Sequence, residues 1–356
     1  IGYQAGQSGQ SKQAIAIGLE AGMSGQGKNS LAIGPQAGGT NQGEQAIAIG
    51  ASAGVNEQGI GSIAIGSLAG ATGQGTDSIA IGLQAGYKNQ DTSAVAIGPS
   101  AGGQSQGQQA IAIGDEAGSL EQQQQAIAIG NVAGHSIQGT GSIAIGVNAG
   151  FYFQRQQAIA IGFNAAAHDL GGEQSLAQGT GAIAIGSSAG YGDQGQDAIA
   201  IGSSAGYDFQ GTGAIALGLQ AGQTGQGQDA IAIGVQAGQT NQGQDAIAIG
   251  KDAGGTGQGK ASIAIGSSAG YDTQDTSAIA IGEYAGNAGQ GKGSIAIGHK
   301  SAQQTQDNSA VAIGIRSGHY NQGSAAIALG GSAGYMEQGA NSIAIGADSG
   351  RQSQGA

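Results

Sequence analysis

The sequence predicts an all-β chain folded as a parallel β-solenoid of 16-residue coils, and three observations carry that prediction. A Gly preceded by Ile or Leu recurs at Gly2, Gly18, Gly34, Gly50 and onward to Gly346, always sixteen residues apart except for a gap of twenty-four between Gly162 and Gly186. Before each of these glycines from Gly18 on stands a short run that alternates small and large residues, as in Ser62-Ile63-Ala64-Ile65. With 76 Gly among 356 residues, several per repeat, helices are disfavoured by about 1 kcal/mol per Gly relative to Ala. A fixed period of this length marks a solenoid, in which one repeat is one coil that buries its apolar face only when neighbours stack on it. The chain reads as a single repeat domain over 1–356, with an irregular 24-residue coil at 163–186.

The Gly content, 9% charge and 4% aromatics would suit a disordered chain if composition alone were read, but the periodic Ile argues against that. Collagen is excluded because Gly does not fall at every third place. There is no Cys, so disulfides and thiolate metal sites are absent. No apolar run approaches the roughly 20 residues of a membrane span, so no membrane insertion is expected of this segment. The net charge of −12 argues against nucleic acid or an anionic membrane as partner, since both need a basic face. Both ends fall inside the repeat, which leads us to expect a segment of something longer or a unit that continues end to end.

The elements of one coil follow in order from its Gly. The five-residue run that ends on that Gly forms a strand with Ile, Leu or Val pointing one way and Ala or Ser the other. Both faces are apolar, so the strand is expected to be covered twice, one side by the opposite wall of its own coil and the other by a second chain that seals an apolar stripe, with two Ile buried per coil. Homo-oligomerisation is the inference. After the Gly, the third position is Ala in all coils except Ser301, Ser317 and Ser349, and the fourth is Gly except at Ala166 and Ala302, which indicates a tight corner. Pro35 and Pro99 directly follow the repeat Gly, so the strand ends there. Eight residues after the Gly stands a Gln in every coil, among them Gln26, Gln42, Gln58, Gln74, Gln226 and Gln242, displaced only to Gln178 in the long coil. One amide at one register reads as a stacked ladder, each side chain bonded to the next coil or to backbone at a turn.

The recurrent Ser-Ile-Ala-Ile-Gly or Ala-Ile-Ala-Ile-Gly, as at Ser62 to Gly66 and Ala126 to Gly130, followed by Ala-Gly, resembles the head repeats of YadA-type trimeric autotransporter adhesins, which also occur in fibre proteins of phages and large viruses. The resemblance extends over essentially the whole chain. It implies a left-handed β-roll, three chains about a three-fold axis, and a stiff adhesive head on a cell or virion surface. The period is slightly longer than is usual in that family and the Gln-Gly element unusually constant.

Other patterns point to less. Gly22 to Asn29 approaches a phosphate-binding loop but ends in Asn where Ser or Thr would hold magnesium, and two later coils fail at the same place. The four His, at 135, 168, 299 and 319, have no second ligand at metal spacing, and a solvated corner is expected for His135 and His319. No cofactor and no metal is called for, and without convergent titratable groups no enzyme activity is expected, so no catalytic residue is assigned. Asp91, Asp275 and Asp307 stand where other coils have Gly and read as turn residues. The candidate binding surface comprises Phe151, Tyr152, Phe153, Phe163 and His168, where aromatics crowd the irregular coil, with Tyr191 and Tyr207 at the variable corner five residues after the Gly. A cell-surface receptor or a glycan is the expected partner there, with simple corner packing as the alternative. The function expected is an extracellular structural fibre or adhesin head, a rigid trimeric rod presenting loops for attachment. A receptor-free filament polymerising end to end is the alternative, and an ice-binding solenoid ranks below it because Thr is scattered.

Overall fold

The computed structural model of the chain describes residues 1–167 and 178–355, divided into two compact units, Ile1–Gly181 and Ala182–Ala356. Both units are built from coils of sixteen residues in which every regular element is a short parallel strand. The Ile-Ala-Ile run supplies the first strand of each coil. In the first unit these strands run from Ile15–Ile17 to Ile159–Ile161, and in the second from Ile183–Ile185 to Ile343–Ile345. They stack without slippage, Ile15 on Leu31, Ala16 on Ala32 and Ile17 on Ile33, so that like residues form columns along the solenoid. Each backbone N–H and C=O of the strand bonds to the coil before or after its own. Gly18 N donates to Ile1 O at 2.7 Å, for instance, and Ile15 N to Ser30 O at 3.0 Å.

A second strand, not anticipated from the sequence, ends on the periodic Gln. In the first unit it recurs from Ser24–Gln26 to Tyr152–Gln154. In the second unit it recurs from Asp193–Gln194 to Thr256–Gln258 and from Ala288–Gln290 to Met336–Gln338, the two runs joined by single bridges at Gln274. Pairing skips the middle residue, as in Lys88 on Gln104 and Gln90 on Gln106. The middle residue is in the left-handed region (Asn89 φ 54, Ser105 φ 56), so it breaks the period-2 alternation that would betray a strand.

The core corrects one expectation. Between the two walls lie the Ala of the first strand, the Ala of the corner, the Ala or Ser that opens the strand, and the Gln; Ala48, Ala53 and Ala46 are fully buried and Gln58 is 2% exposed. Ile does not fill this space, and on the single chain it is not buried: Ile65, Ile81 and Ile97 are each 36% exposed on the outer face. The reason is the closeness of the walls. Gln58 Nε2 reaches from one wall to Ile47 O on the other at 2.7 Å, which leaves room opposite only for a methyl group.

Two glycine registers set this spacing. At the corner, Gly22 has φ +53, and a Cβ there would lie 2.8 Å from Gln26 Oε1 and 3.3 Å from the Cβ of Ala16. At the repeat Gly, a Cβ on Gly18 would lie 2.5 Å from Gly34 O in the next coil. Pro35 follows the strand Leu31–Ile33, and its carbonyl still accepts from Ser52 N at 2.8 Å, so the ring removes no bond of the strand.

Candidate interaction surface

The Gln register builds an internal column rather than a surface. Each amide spans the coil and donates to the carbonyl that opens the facing strand: Gln26 to Ile15, Gln42 to Leu31, Gln58 to Ile47, Gln74 to Ile63, Gln226 to Ile215 and Gln242 to Ile231, all within 2.7–2.9 Å. From Gln74 through Gln154 to Gln178, each Nε2 also donates to Oε1 of the next Gln at 3.0–3.3 Å. The same chain of amides runs from Gln194 to Gln338 in the second unit. The Oε1 atoms of Gln26, Gln42, Gln58 and Gln74 are buried without a hydrogen-bond partner.

The outer face of the first strand is the largest apolar feature. In the first unit ten such strands stack at about 4.8 Å, giving two Ile columns about 7 Å apart and about 43 Å tall. That is roughly 300 Å² of continuous apolar surface, in the range that marks interaction sites on soluble proteins. The position after the repeat Gly widens it with Leu19, Leu83, Val147 and Phe163, 42–56% exposed. The second unit carries the same face over eleven strands, flanked by Leu219, Val235 and Ile315.

Phe151 stacks on His135 of the preceding coil, with centroids 5.2 Å apart and an interplanar angle of 17°, and meets Tyr152 edge to face at 4.3 Å. Phe153 is the left-handed middle residue of the second strand there, at φ 43. Phe163 is 56% exposed. Tyr191 and Tyr207 stack at 5.1 Å and 7° in the second unit. His168 lies outside the described residues. The corner five residues after the Gly is thus a place where rings of successive coils lie face to face, a geometry worth about 0.5–1.5 kcal/mol per pair beyond burial.

A third stack was missed when the sequence was read for binding residues. His319 stacks on Tyr335 at 4.9 Å and 7°, and Tyr320 meets His319 edge-on at 4.3 Å. Contrary to a solvated corner, His319 is only 5% exposed, with Nδ1 2.9 Å from Lys300 O. Burial, reinforced by the charges of Arg316 and Lys300, outweighs that hydrogen bond and holds its pKa below the usual value. His135 is half-buried, its Nε2 3.6 Å from Glu116. The signal available in the sequence was the crowding of exceptions (Ser301, Ala302 and Ser317) into two neighbouring coils. Among the described residues, no three His, Asp or Glu converge to hold a metal ion, and no helix is long and apolar enough to cross a membrane.

Comparison with protein families matches the YadA head domain repeat over residues 26–53, 58–85 and 172–189. Over those residues the chain is similar to head repeats of the YadA type, as its sequence implied. No curated protein matches it.

Proposed function

We propose that this chain, built on YadA-type head repeats, forms a homotrimeric, surface-exposed fibre or adhesin head and works as a scaffold for attachment without catalysis. The observation that carries the reading is the Ile face. Two columns of half-exposed Ile run the height of each unit on the side away from the Ala-Gln core, although a chain with 9% charged residues has ample Gln, Ser and Thr to place there. An apolar sheet face of that extent is stable in water when copies of the same chain cover it. The resemblance supports three copies about one axis, and a left-handed coil.

Native mass spectrometry with analytical ultracentrifugation tests this. Particles of three chains are expected. A dispersed monomer refutes the assembly, and filaments of indefinite length support the receptor-free polymer instead. Ice binding gains little from the fold, since the Thr column comprises Thr224, Thr240 and Thr256 only before Asp272 interrupts it. Attachment is proposed to use the variable corner at Tyr191 and Tyr207 and the group Phe151, Tyr152 and Phe153.

A further inference from the structure

The rules of the coil fail together at one place. In the coils that begin at Gly298 and Gly314, Ser301 and Ser317 replace the corner Ala, Ala302 replaces the corner Gly, and a His is buried at the variable position. Concentrated departures from an otherwise uniform pattern are where function is expected. Here they brace one corner. Ser301 Oγ donates to Ala312 O at 2.8 Å and Ser317 Oγ to Ala328 O at 2.7 Å, while His319 Nδ1 lies 2.9 Å from Lys300 O, fixing the backbone from which Lys300 projects.

What the corner presents is positive. Lys300 and Arg316 occupy the same register in successive coils, about 4.8 Å apart along the stack. Two like charges at that spacing repel, and neither has a carboxylate partner among the described residues. Glu283 lies 3.8 Å from His299, and Asp348 lies 3.3 Å from Arg351. In a chain with 22 acidic residues and a net charge of −12, an uncompensated cation pair is a local exception. Tyr284, 36% exposed, lies beneath it with Lys300 Nζ 5.8 Å from the ring centroid.

We propose that Tyr284, Lys300 and Arg316, positioned by His319, form a binding site for an acidic glycan. The carboxylate or sulfate groups would pair with Lys300 and Arg316, since hydrogen bonds between ionised groups are the strong ones and Arg suits planar bidentate partners. The apolar face of a sugar ring would lie on Tyr284. A nucleic acid also offers anions and stacking surfaces, but its continuous phosphate row would run from these two cations onto an otherwise acidic surface. A glycan of a few charged units meets no such penalty. The proposal rests on the reading of the solenoid as an attachment surface and names what one part of it attaches to.

The test uses the full chain and size-defined heparin oligosaccharides in calorimetry at about 0.15 M salt, where distant charges are screened. The unaltered chain is expected to bind, and the double variant Lys300→Gln, Arg316→Gln to lose at least about tenfold in affinity. Tyr284→Ala should weaken binding several-fold, and the control Lys28→Gln, Lys88→Gln should leave it unchanged. Absence of binding by the unaltered chain, an equal loss in the control, or equally tight binding of single-stranded DNA overturns the proposal. Native mass measured on the same samples separates the two readings. Trimers that ignore heparin refute the glycan site alone, and monomers that bind it refute the assembly alone.

Discussion

Replacing Gln242 tests whether the amide column holds the coil together. Gln242 is 2% exposed and donates to Ile231 O at 2.8 Å, Ala246 O at 3.3 Å and Gln258 Oε1 at 3.1 Å, while accepting from Gln226 at 3.2 Å. In Gln242→Ala the two shorter donated bonds vanish, leaving Gln258 Oε1 buried and unpaired and depriving Ile231 O of its second donor, at about 1–2 kcal/mol each. The space left by an amide and a methylene, on the order of 50 Å³, adds about 1 kcal/mol. We expect a loss of about 3–5 kcal/mol, against less than about 1 kcal/mol for Gln223→Ala at the variable corner, where the side chain accepts one bond from Gln239. Because stacked coils open locally, the assay is hydrogen exchange at the amides around residue 242, supported by denaturant unfolding. A cost for Gln242→Ala no larger than that for Gln223→Ala would refute the reasoning. The isosteric Gln242→Glu sharpens the test, since it puts a carboxylate oxygen where an N–H faced the carbonyl of Ile231. The charged form is disfavoured in the fold, so this carboxyl's pKa is raised, and its stability deficit should grow as pH rises above the ordinary Glu value and shrink on acidification.

Three further outcomes follow from the structure. Ala302 holds φ 44 where other coils have Gly, so Ala302→Gly should stabilise by about 1 kcal/mol in thermal unfolding, and a loss would show that its methyl packs usefully. His319 has a pKa lowered by burial, so the unfolded chain takes up its proton first. Its contribution to stability should be complete above about pH 6.5, be lost progressively as pH falls below that, and disappear from the pH profile of His319→Phe. Ile231→Asp places a charge on the outer face, where Ile231 is only half-buried. It should change local exchange little in a dissociated chain yet prevent assembly, and normal native mass for this variant would count against the Ile face as the interface.

The sequence carried the period, the first strand and the existence of a Gln column, because each rests on strict recurrence. It did not say which side of the first strand faces inward. Both sides are apolar, and side-chain size alone favours burying Ile; the decision belongs to the distance between walls, which the cross-coil reach of Gln58 fixes and Ile cannot fit. The second strand was hidden because residues such as Asn89 and Ser105 take a left-handed backbone in its middle, which reads as a turn. The pairing of Lys300 with Arg316 was equally invisible in linear order, since sixteen residues in the chain correspond to a single strand spacing in space.

The longer interval between Gln154 and Gln178 shows what this architecture permits. Although twenty-four residues separate these two side chains in place of sixteen, Gln154 Nε2 still donates to Gln178 Oε1 at 3.1 Å, and Gln178 still crosses to Ile159 O at 2.7 Å. The inner amide wire therefore does not register how many residues separate two rungs in the chain. The amide contact is kept across the longer interval, which makes the span between Gln154 and Gln178 a natural port for grafting a foreign peptide or epitope. Whole rungs, which hand on the same donors and acceptors that they receive, can be duplicated or deleted in frame with only the length of the array altered.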